Sequence, residues 1–151
     1  MTILTRSAHL EDIEELSVLF DGYRQFYGKQ SNLSESKQFI NERLTKQDSV
    51  IYVATTADDK GNLVGFMQLY PVFGSLEAKK GFTLNDLYIN PKNRKQGIGE
   101  QLIDAAIALG KQHDACWLML ETALDNHQAQ KLYEKKGFVK STQFFTYYKK
   151  V

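Results

Sequence analysis

Arg94, Lys95, Gln96, Gly97, Ile98 and Gly99 set two cations and two glycines just ahead of an amphipathic segment. Residue types in this order hold an anion. The first turn of a helix carries backbone N–H groups that have no intrahelical acceptor, and the helix dipole adds about half a positive charge there. Glycine lets a phosphate approach that backbone without side-chain obstruction. Arg94 and Lys95 add charge at the rim. A P-loop would need Gly-Lys followed by Ser or Thr, but Gly28-Lys29 and Gly110-Lys111 are each followed by Gln. A dinucleotide fingerprint would need a third glycine where Leu102 stands. What remains is Arg-x-x-Gly-x-Gly.

A second patterned segment lies downstream: Asp125, Asn126, His127, Gln128, Ala129, Gln130, then Lys131-Leu132-Tyr133-Glu134-Lys135-Lys136-Gly137-Phe138. Together with Asn85-Asp86-Leu87-Tyr88-Ile89-Asn90-Pro91 and the glycine loop, it resembles the GNAT superfamily of N-acetyltransferases. That family's usual form here is Asn, a small residue, then Leu-Tyr-Glu-Lys-x-Gly-Phe. The resemblance extends over the whole chain. Tyr23 to Tyr27, with Leu84 to Leu87, further resemble the branch of polyamine, histone-type and amino-acid amine acetyltransferases.

The resemblance implies acetyl-CoA as cosubstrate, in a gap where the strand of Leu87 to Ile89 splays from the strand of residues 116–120. The pantetheine arm would bond the backbone at Leu87 and Ile89, beside Tyr88. The pyrophosphate would sit on the amides of Lys95, Gln96, Gly97, Ile98, Gly99 and Glu100, with Arg94 at the rim. Asn126 would bond the pantetheine, and Tyr133 would turn its hydroxyl toward the sulfur. The acceptor would be the primary amine of a small molecule or a lysine-bearing peptide, lined by Tyr23, Tyr27 and Asn85. A protein of this fold that binds acyl-CoA without transferring it is the competing class. Tyr133 and Asn126 argue for transfer, because a binder needs only the glycine loop.

Acetyl transfer from a thioester needs a neutral amine. A lysine-like amine, with a pKa near 10.4, must give up about 4.6 kcal/mol to be neutral at pH 7 (about 3.4 units at 1.36 each). A carboxylate or ordered water must therefore accept the proton. Asp86 and Glu121 are the acids on the two strands that flank the gap. Each also has a purely structural reading. In the related polyamine enzymes a glutamate matches Asn85, and asparagine cannot serve as that base. A tyrosine hydroxyl, reference pKa about 10 against about 8.5 for a thiol, can hydrogen-bond the departing sulfur. Tyr133 as a core aromatic and Asn126 as a plain helix cap are the structural alternatives.

These residues need elements to position them. Residues 2–6 read as a short strand. Ile13, Leu16, Phe20, Tyr23 and Tyr27 fall at helical spacing over residues 12–27, and Gly28 ends that helix. Ser34 is the expected N-cap of a second helix with Phe39, Ile40 and Leu44. Residues 50–55 and 63–70 read as a hairpin across Asp58-Asp59-Lys60-Gly61-Asn62. Pro71 and Pro91 mark strand ends, and residues 71–81 form a connection; Tyr70 just before it and Phe73 within it could join the acceptor pocket. Residues 82–89 make a third strand before the loop and its helix, and residues 116–120 a strand covered on both faces. Residues 138–149 supply one or two aromatic strands. The sum is one α/β domain over residues 1–151, an α+β mixed sheet. It is mostly antiparallel, with one β-α-β crossover and helices on both faces.

Composition sets the outer limits. Of 151 residues, 42% are apolar and 25% charged, the balance of a globular protein. A formal charge of +1 offers nothing for a polyanion, so no nucleic-acid partner is expected. The lone Cys116 excludes an internal disulfide. The start carries no signal-peptide pattern, and no run suits a membrane span, so the expected setting is the cytoplasm. His9, His113 and His127 lack ligand spacing, so no metal is expected. The aromatic tail suggests a sheet edge that a homodimer would cover.

Overall fold

Strand formers at the N-terminus and in residues 50–89 pair into one sheet. The computed structural model describes residues 2–57 and 61–151, in two compact units, Met1–Glu121 and Thr122–Val151. The first unit runs β1 (Ile3–Ser7), α1 (Ile13–Phe26), α2 (Leu33–Lys46), β2 (Val50–Thr56), β3 (Leu63–Gly74), β4 (Lys79–Ile89), α3 (Ile98–Gln112) and β5 (Leu118–Leu120). The sheet order is β1-β2-β3-β4-β5. Neighbours are antiparallel as far as β4, and β4 pairs with β5 in parallel, so α3 is the crossover helix. The expected mixed sheet is therefore present. The hairpin turn read at Asp58, Asp59 and Lys60 lies outside the described residues.

In β3, Leu63 to Leu69 is buried at every position, which requires cover on both faces of the sheet. One face packs Leu16, Leu19 and Phe20 of α1 and Ile40 of α2 against Ile51, Val53 and Phe66. Each such buried side chain contributes about 1.5–3 kcal/mol relative to exposure. The helix α3 buries Ile98, Leu102, Ile103, Ala106 and Leu109 and touches β1 through β4. In α1, Glu14 and Glu15 at the first turn and Arg24 at the last complement the helix dipole. Gly28, at φ +84°, follows its end.

Three boundaries differ from expectation. The α2 cap is Asn32, not Ser34: the Asn32 side chain accepts from Glu35 N–H at 3.1 Å. Pro71 does not end β3 but sits inside it, opposite Phe82. The strand β2 starts at Val50, opposite Leu69, so from Tyr70 onward β3 has a neighbour on one side only. A missing N–H costs no ladder bond on the free side. The 71–81 connection is thus the tip of a long β3–β4 hairpin, with Phe73 83% exposed. The strand β5 is shorter than residues 116–120 and covered on one face only, since Met119 is 49% exposed.

The second unit contains α4 (His127–Lys135). Asn126 caps it by accepting from Ala129 N–H at 3.3 Å. Its end is a Schellman motif: Phe138 N–H donates to Tyr133 O and Gly137 N–H to Glu134 O, each at 3.0 Å. Gly137 takes the left-handed φ of +88° that this motif needs. The rings of Tyr133 and Phe138 meet edge to face at 6.1 Å, the apolar contact that accompanies the motif. No strand forms after Phe138, which corrects the expected C-terminal strands. Aromatic residues have strand propensity, but propensity makes a strand only where a partner edge pairs with it. Phe144, Phe145 and Tyr147 are 84–90% exposed. The edge argument for a homodimer loses its support with those strands.

Asp21 on α1 ties down the α1–α2 connection. Its carboxylate accepts from Gln25 Nε2, Ser31 Oγ, Asn32 N–H and Ser36 Oγ at 2.7–2.9 Å. Burial pushes its pKa up, but those hydrogen bonds outweigh it and the net shift is downward. A lowered folded-state pKa stabilises fully above the unfolded value of about 3.9 and ceases to do so as pH falls through the folded value. Asp21→Ala is expected to cost about 3 kcal/mol in urea unfolding at pH 7, because it strands buried donors. The wild type should also lose stability below about pH 4 more steeply than the variant. Parallel pH profiles would show that Asp21 contributes no such stability.

Candidate active site

The ladder on β4 changes sides partway along. At its start, Lys80 O accepts from Cys116 N–H at 2.9 Å and Phe82 N–H donates to Trp117 O at 3.1 Å, both toward β5. Strict alternation would turn every even-numbered residue that way. Yet Asn90 N–H donates to Val64 O at 2.9 Å, toward β3. The reason is a bulge: Leu69 pairs with Leu84 and Gln68 with Asp86, leaving Asn85 as the extra residue. A bulge bends its strand and shifts the parity by one. Leu87 and Ile89 therefore direct their backbone groups to the β5 side.

On that side β5 has stopped. Its pairing ends with Leu84 opposite Leu120, so β4 runs on from Asn85 to Ile89 beside a gap. Extended backbone with polar groups facing such a gap can add a ligand along its edge. Ile89 O accepts from Arg94 Nε at 3.1 Å. The Arg94 guanidinium lies 5.7 Å from each of the Phe26 and Tyr88 rings. Tyr88 packs over α1 at Gly22, where a Cβ would come within 2.8 Å of its hydroxyl.

Beyond Ile89 the chain makes a 3-10 turn at Pro91–Asn93 and enters α3. Lys95 and Gly97 have φ of +63° and +76°. Successive amides in such a turn form a concave anion seat. Gly97 caps α3 without a side-chain bond, and the first helical bond is Gln101 N–H to Gly97 O at 3.1 Å. Arg94, Lys95, Gln96 and Gly97 are exposed, Gly99 and Glu100 partly so, and Ile98 is 2% exposed as the helix's first core residue. A depression of about 430 Å³ lies elsewhere, among Ile107, Lys111, Trp117 and Leu118 at the other end of α3.

The two candidate acids differ in setting. Glu121 is exposed and follows β5 directly. Asp86 is 2% exposed and accepts from Gln68 Nε2 at 2.6 Å and Asn85 Nδ2 at 2.8 Å. Burial raises its pKa, against the hydrogen bonds of Gln68, Asn85 and Tyr23. Burial and then the Asp86 charge raise the Tyr23 hydroxyl and push Tyr70 up to about 12. Tyr23 also donates to Asn85 O at 3.3 Å, and its ring meets Tyr27 edge to face at 5.1 Å. Tyr23, Asn85 and Asp86 thus come together, with Tyr27 at the rim. Phe73 pairs with Lys80, five residues or about 16 Å along the strand from Asn85 at 3.3 Å per residue. Gln68 was not singled out from the sequence, although one amide in the apolar run of residues 63–70 is a signal. In the second unit, Asn126 uses its side chain as a cap and Tyr133 is 9% exposed.

The sequence pattern of the acetyltransferase (GNAT) family matches residues 15–138. The chain belongs to that family. It is 37% identical over 142 residues to the uncharacterized N-acetyltransferase YhfO of Bacillus subtilis (strain 168), covering 94% of this chain and 93% of that protein. A probable acetyltransferase of known crystal structure superposes with a TM-score of 0.90 at 38% identity, over 100% of this chain and 98% of that one. A predicted acetyltransferase from Clostridium acetobutylicum, solved with acetyl-CoA, shares the fold. Its TM-score is 0.76 at 16% identity, over 97% of this chain and 96% of that one. This GNAT chain is accordingly an acyl-CoA-dependent N-acetyltransferase. No cluster of His, Cys, Asp or Glu suited to a metal occurs among the described residues. No helix among them is long and apolar enough to cross a membrane.

Proposed function

We propose that this GNAT enzyme moves the acetyl group of acetyl-CoA to a primary amine. The acceptor is a small molecule of polyamine or amino-acid type, or a lysine-bearing peptide. The observation that carries this reading is the bulge at Asn85, which turns the Leu87 and Ile89 backbone to a gap leading to the Lys95–Gly97 turn. Acetyl-CoA supplies a thioester, an activated acyl group on a good leaving thiol.

The chain's own groups do the rest. The Leu87 and Ile89 backbone, beside Tyr88, holds the pantetheine as an added strand would. The turn amides of residues 95–100 hold the pyrophosphate, with Arg94 at the rim. An N–H on the gap side polarises the thioester carbonyl. Asn126 bonds the pantetheine while capping α4, and Tyr133 protonates or hydrogen-bonds the sulfur. These two roles rest on the family motif. The amine's proton leaves to Glu121 or to ordered water. Tyr23, Tyr27 and Asn85 form the acceptor side, where aromatic faces favour a cationic amine. The family pattern spans both units, which supports reading residues 1–151 as one domain. A cytoplasmic setting belongs to the same reading and rests on sequence alone; a homodimer rests on the family resemblance, without the edge strands first expected to form it.

The test is release of free thiol from acetyl-CoA across polyamines, amino acids, aminoglycosides and histone-tail peptides. At least one amine should raise release well above buffer and appear as its N-acetyl product by mass. Binding of acetyl-CoA with no release on any amine would favour a non-catalytic role.

A further inference from the structure

The bulge that opens the gap has a support of its own. An extra residue in a strand leaves ladder groups unpaired, and they need other partners. Here the Asn85 carbonyl accepts from the Tyr23 hydroxyl at 3.3 Å, and Asn85 Nδ2 donates to Asp86 Oδ1 at 2.8 Å. Asp86 Oδ2 accepts from Gln68 Nε2 at 2.6 Å. Gln68 Oε1 in turn accepts from Ser49 Oγ at 2.8 Å. Gln68 faces Asp86 across the strands, right at the register break between Gln68 and Leu69.

The chain of bonds therefore links α1, the residue just ahead of β2, β3 and β4 at the bulge. Gln68 is 0% and Asp86 2% exposed, among apolar neighbours such as Phe66 and Leu69. A buried polar pair is tolerable only when its members satisfy one another, so losing one link unsettles the others. Gln68 and Asn85 already engage one oxygen each of the Asp86 carboxylate. A base must meet its substrate. A buried carboxylate with a donor on each oxygen is better suited to holding a shape.

We propose that Asp86 is a positioning residue whose bonds to Gln68 and Asn85, with Tyr23 on the Asn85 carbonyl, lock the β4 bulge and so present the Leu87 and Ile89 backbone to the cofactor. The inference rests on reading the gap as the cofactor's seat. Coenzyme A binding to the wild type, measured first by calorimetry, tests that reading separately.

Tyr23→Phe removes one hydroxyl and keeps the ring among Phe20, Tyr27 and Phe66. Asp86→Asn replaces one of two accepting oxygens with a donor. Each is expected to weaken coenzyme A binding about tenfold, and the double variant little further, because the links are shared. The acidic limb of the kcat/KM profile should stay in place. Affinities within twofold of wild type in both variants would overturn the lock. So would an Asp86→Asn enzyme that binds normally but loses the acidic limb, the signature of a base. If Asp86→Asn does not fold, the Tyr23→Phe affinity decides alone. A wild type that does not bind coenzyme A overturns the cofactor reading and this inference with it.

Discussion

Gly97→Val is expected to weaken coenzyme A binding at least about a hundredfold while the chain still folds. Gly97 has φ +76° and ψ 4°, and a Cβ built on it meets no atom within 4 Å. The free protein therefore offers the side chain room, and the cost of the substitution to folding is conformational. A branched residue in the left-handed region costs about 1–3 kcal/mol, less than the usual stability of a domain. The ligand bears the larger penalty. Valine either keeps the turn, with its methyl groups where a phosphate must approach, or relaxes it and disperses the amides. A hundredfold loss is about 2.7 kcal/mol, modest for an anion seat with a blocked approach. Gly28→Val is the matched control. Its φ is +84°, also with open space around a built Cβ, so its melting temperature should fall similarly with coenzyme A affinity unchanged. Calorimetry and thermal melts on both variants decide. If Gly97→Val keeps affinity within about threefold, the turn does not hold the pyrophosphate.

That turn was legible in the sequence because each part has a local cause. Glycines permit the positive φ, cations sit beside them, and Ile98, Leu102 and Ala106 repeat at helical spacing. A Schellman end is equally local, since its signature, here Gly137 and Phe138, is written within six residues. The bulge was not legible. Residues 82–89 read as an unbroken strand, and nothing in them says that Asn85 lacks a partner. That follows only from pairing with β3, sixteen or so residues back in the chain. The Asp86 network is hidden likewise, because Gln68 and Tyr23 reach it from other elements. Pro71 was misread by a local rule whose outcome depends on where β2 begins. Asn32 was recoverable: Asn followed three residues later by Glu35 is the capping pattern that Ser34 lacks. The aromatic tail suggested strands because strand propensity says nothing about whether an edge is free to pair.

Tyr133→Phe is expected to lower kcat at least about tenfold, near 1.4 kcal/mol of barrier, with coenzyme A affinity within about twofold. The substitution removes the oxygen and keeps the contacts that hold this residue at the helix end. Its ring contacts Phe138, and its carbonyl accepts from Phe138 and Lys136 N–H at 3.0 Å each. Phenylalanine keeps the ring and the carbonyl, so α4 and its Schellman end should persist. A melting temperature within a few degrees of wild type would confirm that. With packing held constant, a fall in kcat reports on the departing thiolate, which is charged only as the reaction proceeds. Affinity for the ground-state cofactor should then barely move. The opposite pattern, unchanged kcat with weakened binding, would assign the hydroxyl to holding the cofactor. Unchanged kcat and unchanged binding would leave Tyr133 as the apolar contact of a helix end, and another group would have to protonate the sulfur.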